Sequence, residues 1–173
     1  MKIAVIGYSG AGKSTLAKRL SERYQEPVLY LDTVHWLPGW VERPREESQR
    51  LVEEFLNQND GWVIDGSYGK LHFTRRLEEA DEIVFLNFNR WTCLYRAWKR
   101  NIQYKGKTRE SMTEGCPERM SGEFLWWLIY SGRVKRRRDK FKKLSEMYAE
   151  KWVEIKTKKQ LDAYMGGIKE KKE

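Results

Sequence analysis

Near the N-terminus, Gly7-Tyr8-Ser9-Gly10-Ala11-Gly12-Lys13-Ser14-Thr15 has the composition needed to hold a chain of phosphates. Its glycines let the main chain turn so that successive N–H groups converge on one anion. Gly7, Gly12, Lys13 and Ser14 meet the spacing Gly-x-x-x-x-Gly-Lys-Ser/Thr. Lys13 would neutralise the β- and γ-phosphates of a nucleoside triphosphate. The Ser14 hydroxyl is a hard oxygen ligand of the kind Mg²⁺ prefers. A helix following the loop adds the positive end of its dipole. The plain alternative is a glycine-rich turn with an incidental lysine, and the strand before it and helix after it favour the phosphate reading. ATP and Mg²⁺ are the expected ligands, with Gly7, Ser9, Gly10, Ala11, Gly12, Lys13, Ser14 and Thr15 around the phosphates.

Carboxylates placed after strands are the next candidates, because ligands of open parallel sheets bind beyond the carboxyl ends of the strands. Asp65 follows Trp62-Val63-Ile64 and fits a carboxylate standing behind Mg²⁺, or else a turn aspartate. Asp32 closes a second strand and would meet the acceptor or its attacking hydroxyl, or else cap a helix. His35, Trp36 and Tyr68 are placed with it on the acceptor side, and Asn87 follows a further strand. Arginines complete the set, since a transferring phosphoryl group gathers negative charge that guanidinium forks stabilise. Arg96 and Arg100 share a helix face, as do Arg133 and Arg137. With Lys13, the arginines Arg96, Arg133 and Arg137 form the expected catalytic group.

These residues need a scaffold of alternating strands and helices. Apolar β-rich runs at Lys2–Ile6, Val28–Leu31, Trp62–Ile64, Ile83–Leu86 and Trp152–Ile155 read as strands. Helical spacing covers Gly12–Arg23, a stretch from Pro44 carrying Leu51, Val52, Phe55 and Leu56, and roughly Lys70–Glu79. A long helix is expected from Arg90, another over roughly 118–149, and a terminal one over Lys158–Met165. Residues 105–117 are polar and read as a mobile excursion, and the tail Lys169–Glu173 as a frayed end. The alternation implies a parallel α/β sheet with right-handed crossovers. At 173 residues the chain suits a single domain over 1–173, with a lid excursion at about 100–138.

Charge is unevenly placed. Residues 1–89 hold 11 Lys+Arg against 14 Asp+Glu, and residues 90–173 hold 23 against 11. The basic half, densest over Arg133–Lys143, is a lid surface, a solvated helix face or a contact surface for nucleic acid. Trp91, Trp98, Trp126 and Trp127 would either stack bases or fill the groove between the two long helices, and the groove is the favoured expectation. Cys93 and Cys116 have neither metal nor Cys-x-x-Cys spacing, which suits reduced thiols in a cytoplasmic protein. The longest uncharged apolar run, Phe124–Tyr130, is far short of the roughly 20 residues a spanning helix needs, and no membrane association is expected.

Four motifs carry a family resemblance: Ile-Gly-Tyr-Ser-Gly-Ala-Gly-Lys-Ser-Thr-Leu-Ala, Leu-Asp-Thr-Val-His-Trp-Leu-Pro-Gly-Trp, Ile-Asp-Gly-Ser-Tyr, and Gly-Cys-Pro-Glu before a basic helix. In them the chain resembles the adenylate-kinase-like branch of the P-loop kinases, and within it the DNA topology modulation proteins. The resemblance implies a three-layer sandwich whose five parallel strands run in the order 2-3-1-4-5 under a helical lid. It implies ATP as phosphate donor, Lys13 on the transferred phosphate, Asp65 near Mg²⁺, and Arg96, Arg133 and Arg137 as lid arginines. One departure is visible. Adenylate kinases follow Asp-Gly with Phe-Pro-Arg, whereas Ser67-Tyr68-Gly69 stands here, so AMP is not the expected acceptor. Two functions follow: phosphoryl transfer from Mg·ATP to a small molecule or nucleotide, or an ATPase associated with DNA or RNA through its basic half.

Overall fold

The computed structural model of the chain describes residues 1–167. Lys2–Gly7 (β1) is fully buried after its first residue, as expected of a strand covered on both faces. It is followed by Lys13–Tyr24 (α1), Val28–Tyr30 (β2), Leu31–His35 (α2), Trp36–Leu37 (β3) and Val41–Glu42 (β4). Arg45–Gln58 (α3), Trp62–Asp65 (β5), Phe73–Glu79 (α4), Glu82–Leu86 (β6) and Arg90–Gln103 (α5) come next. Gly122–Ile129 (α6), Lys135–Met147 (α7), Trp152–Ile155 (β7) and Lys158–Gly167 (α8) complete the order. The charged tail expected to fray lies outside the described residues.

The main sheet has five parallel strands in the order β2-β5-β1-β6-β7, with β3 and β4 forming a separate antiparallel ribbon. Counted without that ribbon, the order is the expected 2-3-1-4-5. Alternation along β1 sends Ala4 and Ile6 into one apolar layer and Ile3 and Val5 into the other. Register brings strand ends level: Val5 pairs with Asp65, and Tyr30 also pairs with Asp65. The loops after β1, β2 and β5 therefore open at one edge of the sheet, where the chemistry-bearing residues sit. None of the described helices is long and apolar enough to cross a membrane.

Four expectations are corrected. The single helix over roughly 118–149 is two helices, α6 and α7, joined by a 3-10 turn at Ser131–Arg133. Gly132 explains the break, because a Cβ there would lie 2.5 Å from Trp127 O. Strand two ends at Tyr30, and Asp32 falls in the first turn of a short helix that had no separate signal in the apolar pattern. Residues 105–117 are irregular but tied down: Lys105 bridges Glu118, and Ser111, Met112 and Cys116 are buried. Finally, Trp91, Trp98, Trp126 and Trp127 do not fill a groove between helices; all four are exposed.

Candidate active site

The loop after β1 owes its path to two glycines. Gly7 has φ 146°, and a Cβ there would meet Leu86 O at 2.5 Å. Gly10 has φ 74°, and a Cβ there would meet Cys93 O at the same distance. The loop is thus pressed between β6 and α5 with no room for side chains at these points. Ala11 N–H donates to Tyr8 O at 3.2 Å, closing the turn, and α1 begins at Lys13, where the first-turn N–H groups have no partner within the helix. Ser67 clasps the loop from β5: its hydroxyl accepts from Gly7 N and donates to Gly7 O.

Beside the loop, Ser14 Oγ donates to Asp65 Oδ2 at 2.6 Å. Asp65 is buried, and its Oδ1 has no protein partner among the described residues. Burial pushes its carboxyl up to about 6; Lys13 and the Ser14 hydrogen bond hold it down, while the nearby Asp32 charge pushes it up. Lys13 Nζ donates to Tyr8 O at 3.1 Å.

On the acceptor side of the same opening, Tyr68 OH donates to Asp32 Oδ1 at 2.6 Å. Burial, reinforced by the Asp32 charge, drives the Tyr68 phenol far above its ordinary range, so it stays a donor. His35 packs edge-on against Trp36 and leans on Tyr68, each ring pair 4.7 Å apart. The sequence-marked arginines rim the opening. Arg96 donates to Ala11 O at 2.7 Å and lies over Phe88. Arg133 donates to Phe88 O and covers Tyr8, and Arg137 covers Trp127, whose indole donates to Ser9 Oγ.

Loop residues 7–15, Asp32, His35, Trp36, Asp65, Tyr68, Arg96, Arg133 and Arg137 all border one cleft of about 1450 Å³. Asn87 does not; its amide donates to Glu154 Oε1 and it borders a smaller neighbouring hollow.

Several residues escaped the sequence reading. Arg76 is fully buried and donates to Leu71 O, Gly66 O and Tyr68 O, so it staples the loop that carries Tyr68. Burial lowers its guanidinium to about 9. The signal was present: Arg76 sits between Phe73 and Leu77 on the apolar face of α4, where a charged residue is out of place unless partnered. Glu118, joined by Arg100 and Arg109, ties the excursion to α5. Thr113 Oγ1 reaches the carbonyls of Thr33 and Trp36, and Cys116 Sγ reaches Leu37 O at 3.2 Å. Nothing in local spacing could have announced these contacts.

No family model matches the chain. Over 132 residues it is 31% identical to the protein YqaC of Bacillus subtilis (strain 168), the match covering 72% of this chain and 69% of that one. The chain belongs to the YqaC family. Among solved structures, deoxyadenosine kinase from M. mycoides with bound dATP superposes with a TM-score of 0.52 at 16% identity, over 96% of this chain and 97% of that one. TT1252 from Thermus thermophilus superposes with a TM-score of 0.55 at 16% identity, over 98% of each chain. At such identities the likeness speaks for the fold, which is the α/β fold of the P-loop kinases.

Proposed function

We propose that this protein transfers the γ-phosphate of Mg·ATP to a hydroxyl of a nucleoside, nucleotide or similarly small acceptor. The observation that carries this is the pairing of two carboxylates across one cleft. Asp65 lies beside Ser14 and the phosphate loop, and Asp32 is held by Tyr68 at the acceptor end. The fold likeness to a deoxyadenosine kinase supports an acceptor of this class.

The Mg²⁺ requirement fits the residues present. Asp65 Oδ1 is a buried carboxylate oxygen without a protein partner among the described residues, and the Ser14 hydroxyl, which donates to Asp65 Oδ2, keeps its oxygen lone pairs to offer a cation. A cation there would be held by one hydroxyl, one carboxylate and phosphate oxygens, the hard oxygen ligands Mg²⁺ prefers. Bound there, Mg²⁺ would offset the charge of the β- and γ-phosphates.

The chain's own residues do the rest. The loop N–H groups and Lys13 hold the triphosphate. Asp32, oriented by the Tyr68 hydroxyl, takes the proton of the acceptor hydroxyl as its oxygen bonds to the γ-phosphorus. The bond from that phosphorus to the bridging oxygen breaks, and ADP leaves. Arg96, Arg133 and Arg137, which border the same cleft, would stabilise the charge that grows on the moving phosphoryl group. Within a single domain, residues 100–138 act as a lid that shuts out water.

Lys13→Ala tests this reading. Phosphorylation of a member of a nucleoside, nucleotide and metabolite panel should be measurable in the wild type and fall about 10²–10³-fold or more in the variant. Tight Mg·ATP binding with no acceptor across the panel would count against transfer.

A second reading, an ATPase associated with nucleic acid, rests on α7. Lys135, Arg136, Arg138, Lys142 and Lys143 are exposed there with Asp139 the sole acid among residues 135–143. The motif likeness to DNA topology modulation proteins belongs with this reading.

A further inference from the structure

Helix α5 is apolar on two opposite faces. Its inner face buries Cys93 and Ala97 against the sheet and the loop. At 100° per residue, Trp91, Tyr95, Trp98 and Ile102 project on the far side, and they are 66, 59, 51 and 56% exposed. A helix with apolar stripes front and back belongs in an interior, and a large exposed apolar patch marks an interaction site.

The spacing of the outer stripe says what kind of partner it fits. Intervals of four, three and four residues are those of the alternating core positions of a heptad, which seat against another helix as knobs into holes. The charge around the stripe disfavours anionic partners. Arg96 donates to Ala11 O, Arg100 pairs with Glu118, and Lys99 borders the cleft, so these cations of α5 lie on its cleft side or rim. The dense positive charge lies on α7 instead. Size points the same way. The three α5 aromatics, with the exposed tilted pair of Trp126 on adjoining α6 and Tyr130 at its end, leave on the order of 450–750 Å² open. That approaches the roughly 800 Å² per partner of a stable complex.

We infer that the outer face of α5 is the interface of a homodimer, in which α5 packs on α5 of a second copy across a two-fold axis. A straight apolar stripe is self-complementary under such an axis. Because Arg96 and Arg100 sit on the flank of the same helix, the partner copy would also brace the wall of the cleft. This inference is independent of the phosphoryl-transfer reading.

Sedimentation of the full chain at micromolar concentrations tests it. The wild type should sediment as a dimer. Trp98→Glu and Tyr95→Lys should each weaken dimerisation about 30-fold or more. Both side chains are exposed, so far-UV circular dichroism and Mg·ATP binding should remain as in the wild type. Since each copy carries a net charge of +9, added salt should leave the dimer intact or tighten it. A wild type that stays monomeric overturns the inference, as does a dimer indifferent to both substitutions. Phosphatidylserine vesicles and a single-stranded oligothymidylate provide the other arms. A monomeric wild type that binds either one, more weakly as salt rises and not at all after Trp98→Glu, would assign the stripe to that ligand instead.

Discussion

The phosphate end of the cleft takes its path from consecutive residues of one loop and is only covered from afar, by Arg96 and Trp127, whereas the acceptor end is assembled from segments about eighty residues apart. At the first, a turn shaped by Gly7 and Gly10 runs directly into α1, and Asp65 arrives from the strand paired with β1. At the second, Thr113 reaches Thr33 and Trp36, Cys116 reaches Leu37, and Arg119 lies over Trp40. The ribbon β3–β4 and the excursion thus hold each other in place. The difference implies a division of labour. The phosphate end should keep its shape when the acceptor end is disturbed, and substrate choice should reside in contacts that a local motif does not describe.

The largest break in this comparison should come from Asp32→Asn. Losing the proton acceptor should lower the rate of transfer by about 10²–10⁴-fold. The affinity for Mg·ATP, measured by calorimetry, should change far less than the rate, because Asp32 is hydrogen-bonded to Tyr68 and reaches the phosphate end only through its charge on Asp65. Tyr68→Phe keeps the carboxylate and removes only the hydrogen bond that orients it, so the rate should fall about 5–10-fold. Equal losses in ATP affinity for both variants would show that the two ends are one unit.

How much of this was legible follows the same line. The loop, the five strands and their order could be read because each depends on a run of a few residues and on the rules of parallel sheets. Asp65 could be read because it closes a buried strand. Arg76 stayed hidden although its position among Phe73 and Leu77 was informative, because an amphipathic pattern is defined by its apolar residues and gives a buried cation no weight. The break at Gly132 was missed because one glycine inside a helical pattern is tolerated unless a neighbour crowds it, and here Trp127 O does so. The expectation that the α5 tryptophans fill the groove between the two long helices fails because size and apolarity, without coordinates, say only that a residue wants cover. Thr113 had no local sign at all, and Cys116, although inside the Gly-Cys-Pro-Glu motif, gave none that it reaches Leu37.

A smaller effect sharpens the phosphate end. Asp65 titrates near 6 in the fold against 3.8 for an ordinary aspartate. The folded protein therefore holds this proton more tightly than the unfolded chain does. That stability is present below about pH 4 and drains away as pH rises to about 6. At neutral pH the buried charge costs about 3 kcal/mol in the absence of nucleotide and Mg²⁺. Asp65→Asn keeps an oxygen to accept from Ser14 and removes the charge. Urea unfolding should show the variant more stable than the wild type at pH 8 by up to that amount, with the gap closing towards pH 4, while Mg·ATP affinity falls. A wild type that gains stability on the variant between pH 4 and 6 would contradict the assignment.

The smallest effect falls on the latch between excursion and ribbon. Thr113→Val preserves shape but removes the hydroxyl that reaches Trp36 O and Thr33 O. The loss should be about 1 kcal/mol, the net worth of one such hydrogen bond. Spent locally, that energy makes opening of the excursion about fivefold more frequent, so hydrogen exchange over residues 104–121 and 33–42 should quicken by about that factor. Exchange over residues 7–15 should not change, because Gly7 is held by Ser67 and the loop rests on β6 and α5. If both regions quicken together, the phosphate loop depends on the latch and the two ends of the cleft are not separately built. If only the excursion quickens, the phosphate end stands on its own local geometry, and the excursion can open over the acceptor while the triphosphate stays held.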